Sequence, residues 1–467
     1  MKIFTVKLND LEFGYRLLPM FYYFLKIIKV RNIKKAIKYI TLQEISKKIS
    51  DGEHSHIKRN NKSGVRYLYG RNIKQGTINF DSISDYSYIS LEDYTNFKRT
   101  HLIDNDVLIS ILGTIGNSAI YKKEYLGIIG IPRHIGRITL LNTAPISPEY
   151  LVAYFRTKLA KHQLYSLTTG NIQQLLSLKN LKNYEIPIPN KTILKTITNN
   201  ELTAFMNDIF AQKEIKKAIE LFYKELNIDF LAISKKKNFS ITYDELKNSD
   251  IWNASFYNPV YVDTMKELKK NHNIKNLGEI VDMISGIEPG SHNYINYIDK
   301  KNDSLSFIRT SDIVNHEADL YPDYYLSSKY NKLIKQDIKV NDLIFTKDGK
   351  IGAVGLITDA DNIFISSGVE RLRLNSNGIN IGLTPEYLFI ALLITEIGQY
   401  ASKRRTVIAT TIPHLREEKM KDIEIPIFSS DVILKITELV KKAYELKSKR
   451  KCILKETDNL LNSYFLK

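Results

Sequence analysis

The sequence predicts an α+β chain built as a tandem duplication. Two β-rich globular domains stand in series, each is followed by a long helix, and the two helices pack together as a coiled coil. Three observations lead there. Short motifs recur in the same order about 235 residues apart. The segments carrying them are dense in β-branched and aromatic residues, punctuated by Gly, Asn and Asp. Each copy then ends in a stretch without proline or glycine whose apolar residues recur every three or four positions.

The repeat is ordered. Asn105-Asp106-Val107-Leu108-Ile109-Ser110 returns as Asn341-Asp342-Leu343-Ile344-Phe345-Thr346, and Gly113-Thr114-Ile115-Gly116 as Gly349-Lys350-Ile351-Gly352, both shifted by 236. Ser147-Pro148-Glu149-Tyr150-Leu151 returns as Thr384-Pro385-Glu386-Tyr387-Leu388, shifted by 237, and Glu185-Ile186-Pro187-Ile188 as Glu424-Ile425-Pro426-Ile427, shifted by 239. A solenoid repeats every 20–50 residues or so. This period is a duplicated domain, which implies two equivalent working surfaces.

Each copy divides into a lead-in (1–39 and 236–275), a β-rich domain (40–190 and 276–427) and a helix (191–235 and 428–467). Val107–Leu112 and Arg371–Leu374 have strand composition, and Gly113, Gly116, Gly349 and Gly352 mark tight turns. Ser147 and Thr384 fit helix N-caps, with Pro148 and Pro385 at the first helical position, where the missing N–H is not needed. In the last helix Ile436, Leu439, Ala443, Leu446, Ile453, Leu460 and Tyr464 make a seam interrupted at Arg450 and Thr457. In the first, Leu202, Phe205, Ile209, Ile219, Tyr223, Leu226 and Phe230 do so, interrupted at Gln212 and Lys216. Either a coiled-coil seam or an amphipathic helix on a core has this periodicity. The same long helix ending both copies favours the coiled coil. At roughly 1.5 Å per residue, 40 helical residues span about 60 Å, more than one turn of DNA.

The 467 residues allow two to four domains, and 43% hydrophobic with 25% charged residues is globular. A net charge of +17 points to nucleic acid or an acidic membrane, although a Lys-, Ile- and Asn-rich chain also follows from an AT-rich genome. The single cysteine, Cys452, allows neither an internal disulfide nor a thiolate zinc site. The apolar run Leu17–Leu25 contains Pro19 and is too short for a bilayer, which needs about 20 residues, so a cytoplasmic protein is expected.

No catalytic constellation emerges. Asn258-Pro259-Val260-Tyr261 approaches the Asn-Pro-Pro-Tyr loop of adenine methyltransferases but has Val at the third position, and no glycine-rich cofactor loop precedes it. Pro322-Asp323 and Glu417-Glu418-Lys419 lie too far apart to read as a nuclease set. Gly286 to His292 lacks the Gly-Lys-Ser/Thr ending of a phosphate loop. His54 and His56 have no Cys or third His nearby to complete a metal site.

The doubled order of motifs resembles the specificity subunit of type I restriction–modification systems. The matching residues are Ile49-Ser50-Asp51-Gly52 with His54, Tyr67-Leu68, Asn72-Ile73 with Gly76, Asn105 to Ser110, Gly113 to Gly116, Thr169-Gly170-Asn171-Ile172-Gln173 and Ile186-Pro187-Ile188-Pro189. The second copy adds Ile284-Ser285-Gly286, Asn341 to Thr346, Thr410-Thr411-Ile412-Pro413-His414-Leu415 and Ile425-Pro426-Ile427. Tyr15-Arg16-Leu17-Leu18-Pro19 matches poorly with Ile251-Trp252-Asn253-Ala254-Ser255, and Gly170-Asn171-Ile172-Gln173 differs from Thr411-Ile412-Pro413-His414. The resemblance implies two target recognition domains whose long helices form an antiparallel coiled coil related by a pseudo-two-fold axis. It implies a subunit with no chemistry and no cofactor of its own. Such a subunit joins two modification subunits, which carry S-adenosylmethionine and methylate adenine, and ATP-dependent restriction subunits. Each recognition domain would read one half of a bipartite, asymmetric DNA target, with the helices fixing the spacer.

Cations on phosphates set affinity, and a few side chains on base edges set sequence. The first domain offers Lys58, Arg59, Lys62, Arg66, Lys98, Arg99, Arg133, His134 and Arg137. The second offers Arg309, Lys347, Lys350, Arg371, Arg373 and the run Lys403-Arg404-Arg405, expected on phosphates. Arg pairs with guanine and Asn or Gln with adenine, which nominates Arg133, Arg371, Asn171 and Gln173 as readers. The alternatives are the recognition part of a methyltransferase or restriction enzyme that acts without the other type I subunits, and a coiled-coil adaptor with no DNA role. The stretches that fail to repeat, 53–66 against 288–303, are where the half-sites would be read.

Overall fold

The computed structural model describes residues 38–60, 63–80, 87–170, 174–230, 233, 238–247, 251–288, 290, 304–327, 336–408 and 412–466. Apart from Lys38 and Tyr39, the first lead-in lies outside them, as does most of 288–303. The chain forms two units, residues up to Met206 with those from Arg450 onward, and Asn207–Lys449.

In the first unit the strands are β1 (Lys38–Thr41), β2 (Ser46–Asp51), β3 (Val65–Tyr67), β4 (Ser87–Ile89), β5 (Val107–Ser110), β6 (Ser118–Ile120), β7 (Ile129–Gly130), β8 (Ile135–Leu140) and β9 (Glu185–Ile188). They make a four-stranded sheet β2-β8-β5-β6, a three-stranded sheet β4-β3-β7 and the pair β1-β9. In the second unit they are β10 (Asn273–Asn276), β11 (Val281–Ser285), β12 (Ser304–Ile308), β13 (Ile313–Val314), β14 (Glu317–Ala318), β15 (Tyr324–Ser327), β16 (Leu343–Thr346), β17 (Val354–Leu356), β18 (Ile363–Ile365), β19 (Val369–Leu374), β20 (Val407–Ile408), β21 (Pro413–His414) and β22 (Glu424–Ile427). Sheets β11-β19-β16-β17 and β15-β12-β18 and the pair β10-β22 repeat the first topology, and β13-β14 and β20-β21 are added pairs. The register repeats as well: Val107 faces Ile138 and Leu343 faces Leu372.

The duplicated Asn-Asp motif is a turn followed by a doubly covered strand. Asn105 and Asn341 hold φ of 68° and 70°, a region asparagine tolerates better than most side chains. The next residue closes the turn: Asp106 accepts from the Ile103 N–H at 2.8 Å and Asp342 from that of Lys339 at 2.7 Å. In β5, Val107 and Ile109 enter the core shared with the helices while Leu108 enters a second core beneath the smaller sheet. Leu343 and Phe345 divide from Ile344 in the same way. Both faces are buried, so the strand sequence is continuously apolar instead of alternating. The four predicted turn glycines all have positive φ, between 65° and 90°.

Five helices position the rest: α1 (Pro148–Arg156), α2 (Lys191–Leu226), α3 (Pro259–Asn271), α4 (Pro385–Leu393) and α5 (Ser430–Leu466). Ser147 and Thr384 cap α1 and α4 as expected, accepting from Tyr150 and Tyr387 N–H at 3.1 Å each. Their hydroxyls also meet Thr198 of α2 at 2.8 Å and Thr437 of α5 at 2.6 Å. The buried Tyr150 and Tyr387 hydroxyls donate to the Pro187 and Pro426 carbonyls, both at 2.6 Å. The same attachment thus joins sheet, short helix and long helix in both units.

The long helices pack antiparallel. In the first unit the Tyr464 hydroxyl accepts from Asn190 N–H at 3.3 Å, and Thr457 Oγ1 from Asn200 at 3.2 Å. In the second, Lys442 lies 3.3 Å from Glu214 and Lys447 lies 3.8 Å from Asp208. Ile209, Leu226, Ile436 and Ala443 of the expected seams are buried, but much of the rest of the buried face lies one residue away from the expected positions. On α2 it runs through Ile197, Glu201, Ala204, Asp208, Ala211, Ile215, Ala218 and Phe222, all buried, whereas Leu202 is 42% exposed. On α5, Lys447, Arg450, Lys451 and Thr457 lie inside it. Two of these are the supposed interruptions. Helix α2 ends at Leu226, and Asn227 takes φ 48°; of the expected span to 235, residues 231, 232, 234 and 235 lie outside the described residues.

Candidate nucleic-acid interface

A basic cleft of about 630 Å³ opens on the first unit. Its walls are the segment after β2 (Glu53 to Arg59), Tyr67 of β3, and Pro132, Arg133 and His134 before β8. Gly52 makes this possible: a Cβ there would stand 2.1 Å from the Ile131 carbonyl oxygen. The close approach lets Glu53 N–H donate to Ile131 at 3.1 Å and Arg133 N–H donate to Glu53 at 3.0 Å. The carboxylate of Asp51, under this loop, takes the His54 ring at 2.6 Å and pairs with Arg99.

Lys58 and Arg133 are exposed in this cleft, and His134 and Arg59 are half-buried. Arg59 lies over the rings of Tyr67 and Tyr69, at 4.7 and 4.5 Å. Burial first, then the charges of Arg133 and Arg59, hold the His134 pKa below the ordinary histidine value. Neutral at pH 7, it is surrounded by cations, the field an anionic ligand would relieve. Arg66 stacks on Phe80 at 4.8 Å, and Lys98 is exposed. Lys62, Asn171 and Gln173 lie outside the described residues.

Three of the nominated arginines are structural, which corrects the expectation. Arg137 and Arg371 occupy the same place in β8 and β19, and both are buried. Each donates Nη1 to a backbone carbonyl of the segment before the Asn-Asp turn, Arg137 to His101 and Arg371 to Asp337. Arg371 is therefore a duplicated clamp and not a base reader. Arg405, buried, donates to the carbonyls of Ala401 and Asp422 at 3.2 and 3.0 Å. Of the run 403–405 only Lys403 is exposed, and Arg404 covers Phe256 at 4.1 Å, where burial pushes its pKa down to about 10.

Other cations of the second unit are neutralised. Arg309 contacts Asp312 at 3.1 Å and Asp323 at 2.8 Å, Arg373 contacts Asp342 at 2.6 Å, and Lys347 contacts the buried Glu370 at 2.8 Å. Lys350 is half-buried. A second cleft of about 370 Å³ is lined by Lys347, Asp348, Val407, His414, Leu415, Arg416 and Glu417. Asp348 and His414 bridge two segments there, with side chains 2.8 Å apart, where the first unit has Leu112 and Leu175. The two clefts lie at different places in the repeated fold, the first after β2 and before β8, the second after β16 and beside the β20-β21 pair.

Sequence inspection named Tyr67 only within the family motif Tyr67-Leu68 and did not single out Tyr69 or Arg71. The spacing of Tyr67 and Tyr69, two residues apart on extended backbone and so on one face, was the available signal; Arg71 follows in a 3-10 turn and had none. Asn258 is a helix cap, its side chain accepting from Val260 N–H at 3.0 Å at the start of α3, so the methyltransferase-like motif is structural. Among the described residues no group of three His, Cys, Asp or Glu could hold a metal, and no helix is long and apolar enough to cross a membrane.

The model of the type I restriction modification DNA specificity domain matches residues 34–228 and again 269–452. The chain belongs to that family. Over 128 residues it is 26% identical to the type I restriction enzyme EcoBI specificity subunit of Escherichia coli, a stretch covering 27% of this chain and only 26% of that subunit. Among solved structures, the type I restriction–modification S subunit from M. genitalium aligns at 14% identity and TM-score 0.36, covering 93% of this chain and 98% of that one. The HsdS subunit from Thermoanaerobacter tengcongensis aligns at 13% identity and TM-score 0.27, covering 93% and 97%.

Proposed function

We propose that this chain is the DNA-recognition subunit of a type I restriction–modification complex, without catalytic activity or cofactor of its own. Each unit reads one half of a bipartite, asymmetric double-stranded target, and the paired long helices set the spacer between the halves. Two modification subunits dock on the chain and methylate adenine, and ATP-dependent restriction subunits join them in the cytoplasm. The observation that carries this reading is the pair of repeats, alike down to single hydrogen bonds in their scaffold yet different at equivalent surface positions, where Leu112 and Leu175 in one stand as Asp348 and His414 in the other. A scaffold held constant while its surfaces diverge suits two distinct half-sites. Phosphate contacts are assigned to the exposed cations Lys58, Lys98, Arg133 and Lys403.

The test is co-expression with modification subunits in a methylation-free host, followed by methylome sequencing. A two-part motif that appears only when this chain is present is expected, and the purified chain alone should transfer no methyl groups. Methylation independent of the chain, or a single continuous motif, would overturn the proposal.

A further inference from the structure

At one position in the duplicated fold the two units use arginine in opposite ways. After β3, Tyr69 stands at the N-terminus of a short 3-10 turn, its N–H donating to Asn72 Oδ1 at 2.6 Å. After β12, Arg309 stands in the same turn, its N–H donating to Asp312 at 3.0 Å. Arg309 covers the Tyr324 ring at 4.0 Å and is held by two carboxylates. In the first unit Tyr69 takes the place of Arg309, and Ser87 that of Tyr324. Tyr69 lies between Arg59 and Arg71, at 4.5 and 4.8 Å, and Arg59 also covers Tyr67.

The result is a cluster of Arg71, Tyr69, Arg59 and Tyr67, of which Arg59 and Tyr67 line the basic cleft. Two rings packed against a guanidinium restrict its orientation, and Arg59 also hydrogen-bonds the Tyr69 side chain. Arg59 has no carboxylate partner among the described residues, and its Nη1 is enclosed without an acceptor. Burial alone would raise the Tyr69 pKa, but Ser87 and the guanidinium groups of Arg59 and Arg71 outweigh it and lower it. A planar cation restrained by two rings, partly exposed in the cleft and without a carboxylate partner among the described residues, is suited to a planar acceptor. Guanine supplies one through O6 and N7 in the major groove. A phosphate attracts any nearby cation and does not require the plane to be fixed.

We propose that Arg59 reads a guanine in the half-site taken by the first unit, with Tyr67 and Tyr69 as positioning residues. The proposal rests on the recognition function above. Arg309, locked by Asp312 and Asp323, makes no equivalent contact. The discriminating variant is Arg59→Lys, which keeps the charge and loses the planar fork. Methylomes of the wild-type and R59K complexes, with binding to oligonucleotides carrying each base at each position, give the readout. In R59K, discrimination at one G·C position of one half-site should fall about 5- to 150-fold, with the other half-site and the salt dependence unchanged. Tyr69→Phe, which retains the ring, should keep the motif, and Tyr69→Ala should relax the same position. An R59K motif identical to wild type, or equal weakening on every sequence, would overturn the proposal. Failure of the wild-type complex to methylate any motif would instead overturn the recognition function.

Discussion

Lys447 lies at the point of the helix pair where the duplication meets itself. It corresponds in α5 to Asp208 in α2, and the two face each other at 3.8 Å. Its side chain has no exposure, Glu317 is 3.6 Å away, and Nζ donates to the Asn315 carbonyl at 2.9 Å. At an effective dielectric constant of about 20, each ionic contact at this range is worth about 4 kcal/mol before desolvation. Burial of the ammonium group offsets much of that, but Lys447→Met would take the ammonium group away from two buried carboxylates, Asp208 and Glu317. The expected loss is about 3–5 kcal/mol, as for other buried pairs broken on one side. For a unit of this size the midpoint of its thermal transition should fall by about 6–20 °C. Calorimetry of K447M, Asp208→Asn and the double variant would measure it. The double variant should be more stable than the sum of the single effects predicts, with a coupling of about 1–3 kcal/mol. A K447M protein within about 1 kcal/mol of wild type, or a cycle with no coupling, would refute the reasoning.

Lys58→Ala with Arg133→Ala should weaken binding on all sequences and reduce the slope of log affinity against log salt by about 2, measured by fluorescence anisotropy. Arg405→Met should lower stability by about 2–3 kcal/mol in urea titrations without changing that slope, because its hydrogen bonds are internal. Since the folded pKa of His134 is depressed, the unfolded chain takes up the proton first. Its contribution to stability is therefore present above about pH 6.5 and is lost as pH falls through that value toward the folded pKa. NMR titration should place the imidazole below 6.5 in the free protein and higher in the DNA complex; an unchanged value on binding would remove it from the interface. Deleting one heptad from each long helix keeps their seams in phase and should shorten the methylated motif's spacer by about three base pairs, at roughly 10 Å of helix. Altered half-site bases in that methylome would count against the spacer role.

The duplication, the turn glycines and the proline-started helices were legible because each depends on a few adjacent residues. The helix seam was not. Its buried face includes Glu201, Asp208, Lys447 and Arg450, which a hydrophobic pattern passes over, together with small alanines. Leucines one position away gave an apparently better stripe. For the interface, charge was visible but its use was not. Arg137 and Arg371 look like readers until the His101 and Asp337 carbonyls, more than 30 residues away in sequence, are brought beneath them. Tertiary pairing decides which cations remain available, and only the fold supplies it.

The division of the helices between units reverses the order in which the protein is completed. The first unit's core includes Leu461 and Phe465, and its buried Arg156 meets both Glu201 and, at 3.4 Å, Asp458. During translation the second unit, Asn207–Lys449, has all its residues before these emerge. The earlier unit thus waits for a segment made after the later unit, exposing part of its apolar surface in the meantime. Damage near Leu461 should accordingly unfold sequence synthesised some 300 residues earlier, around Tyr150 and Tyr154, while the intervening unit stays intact.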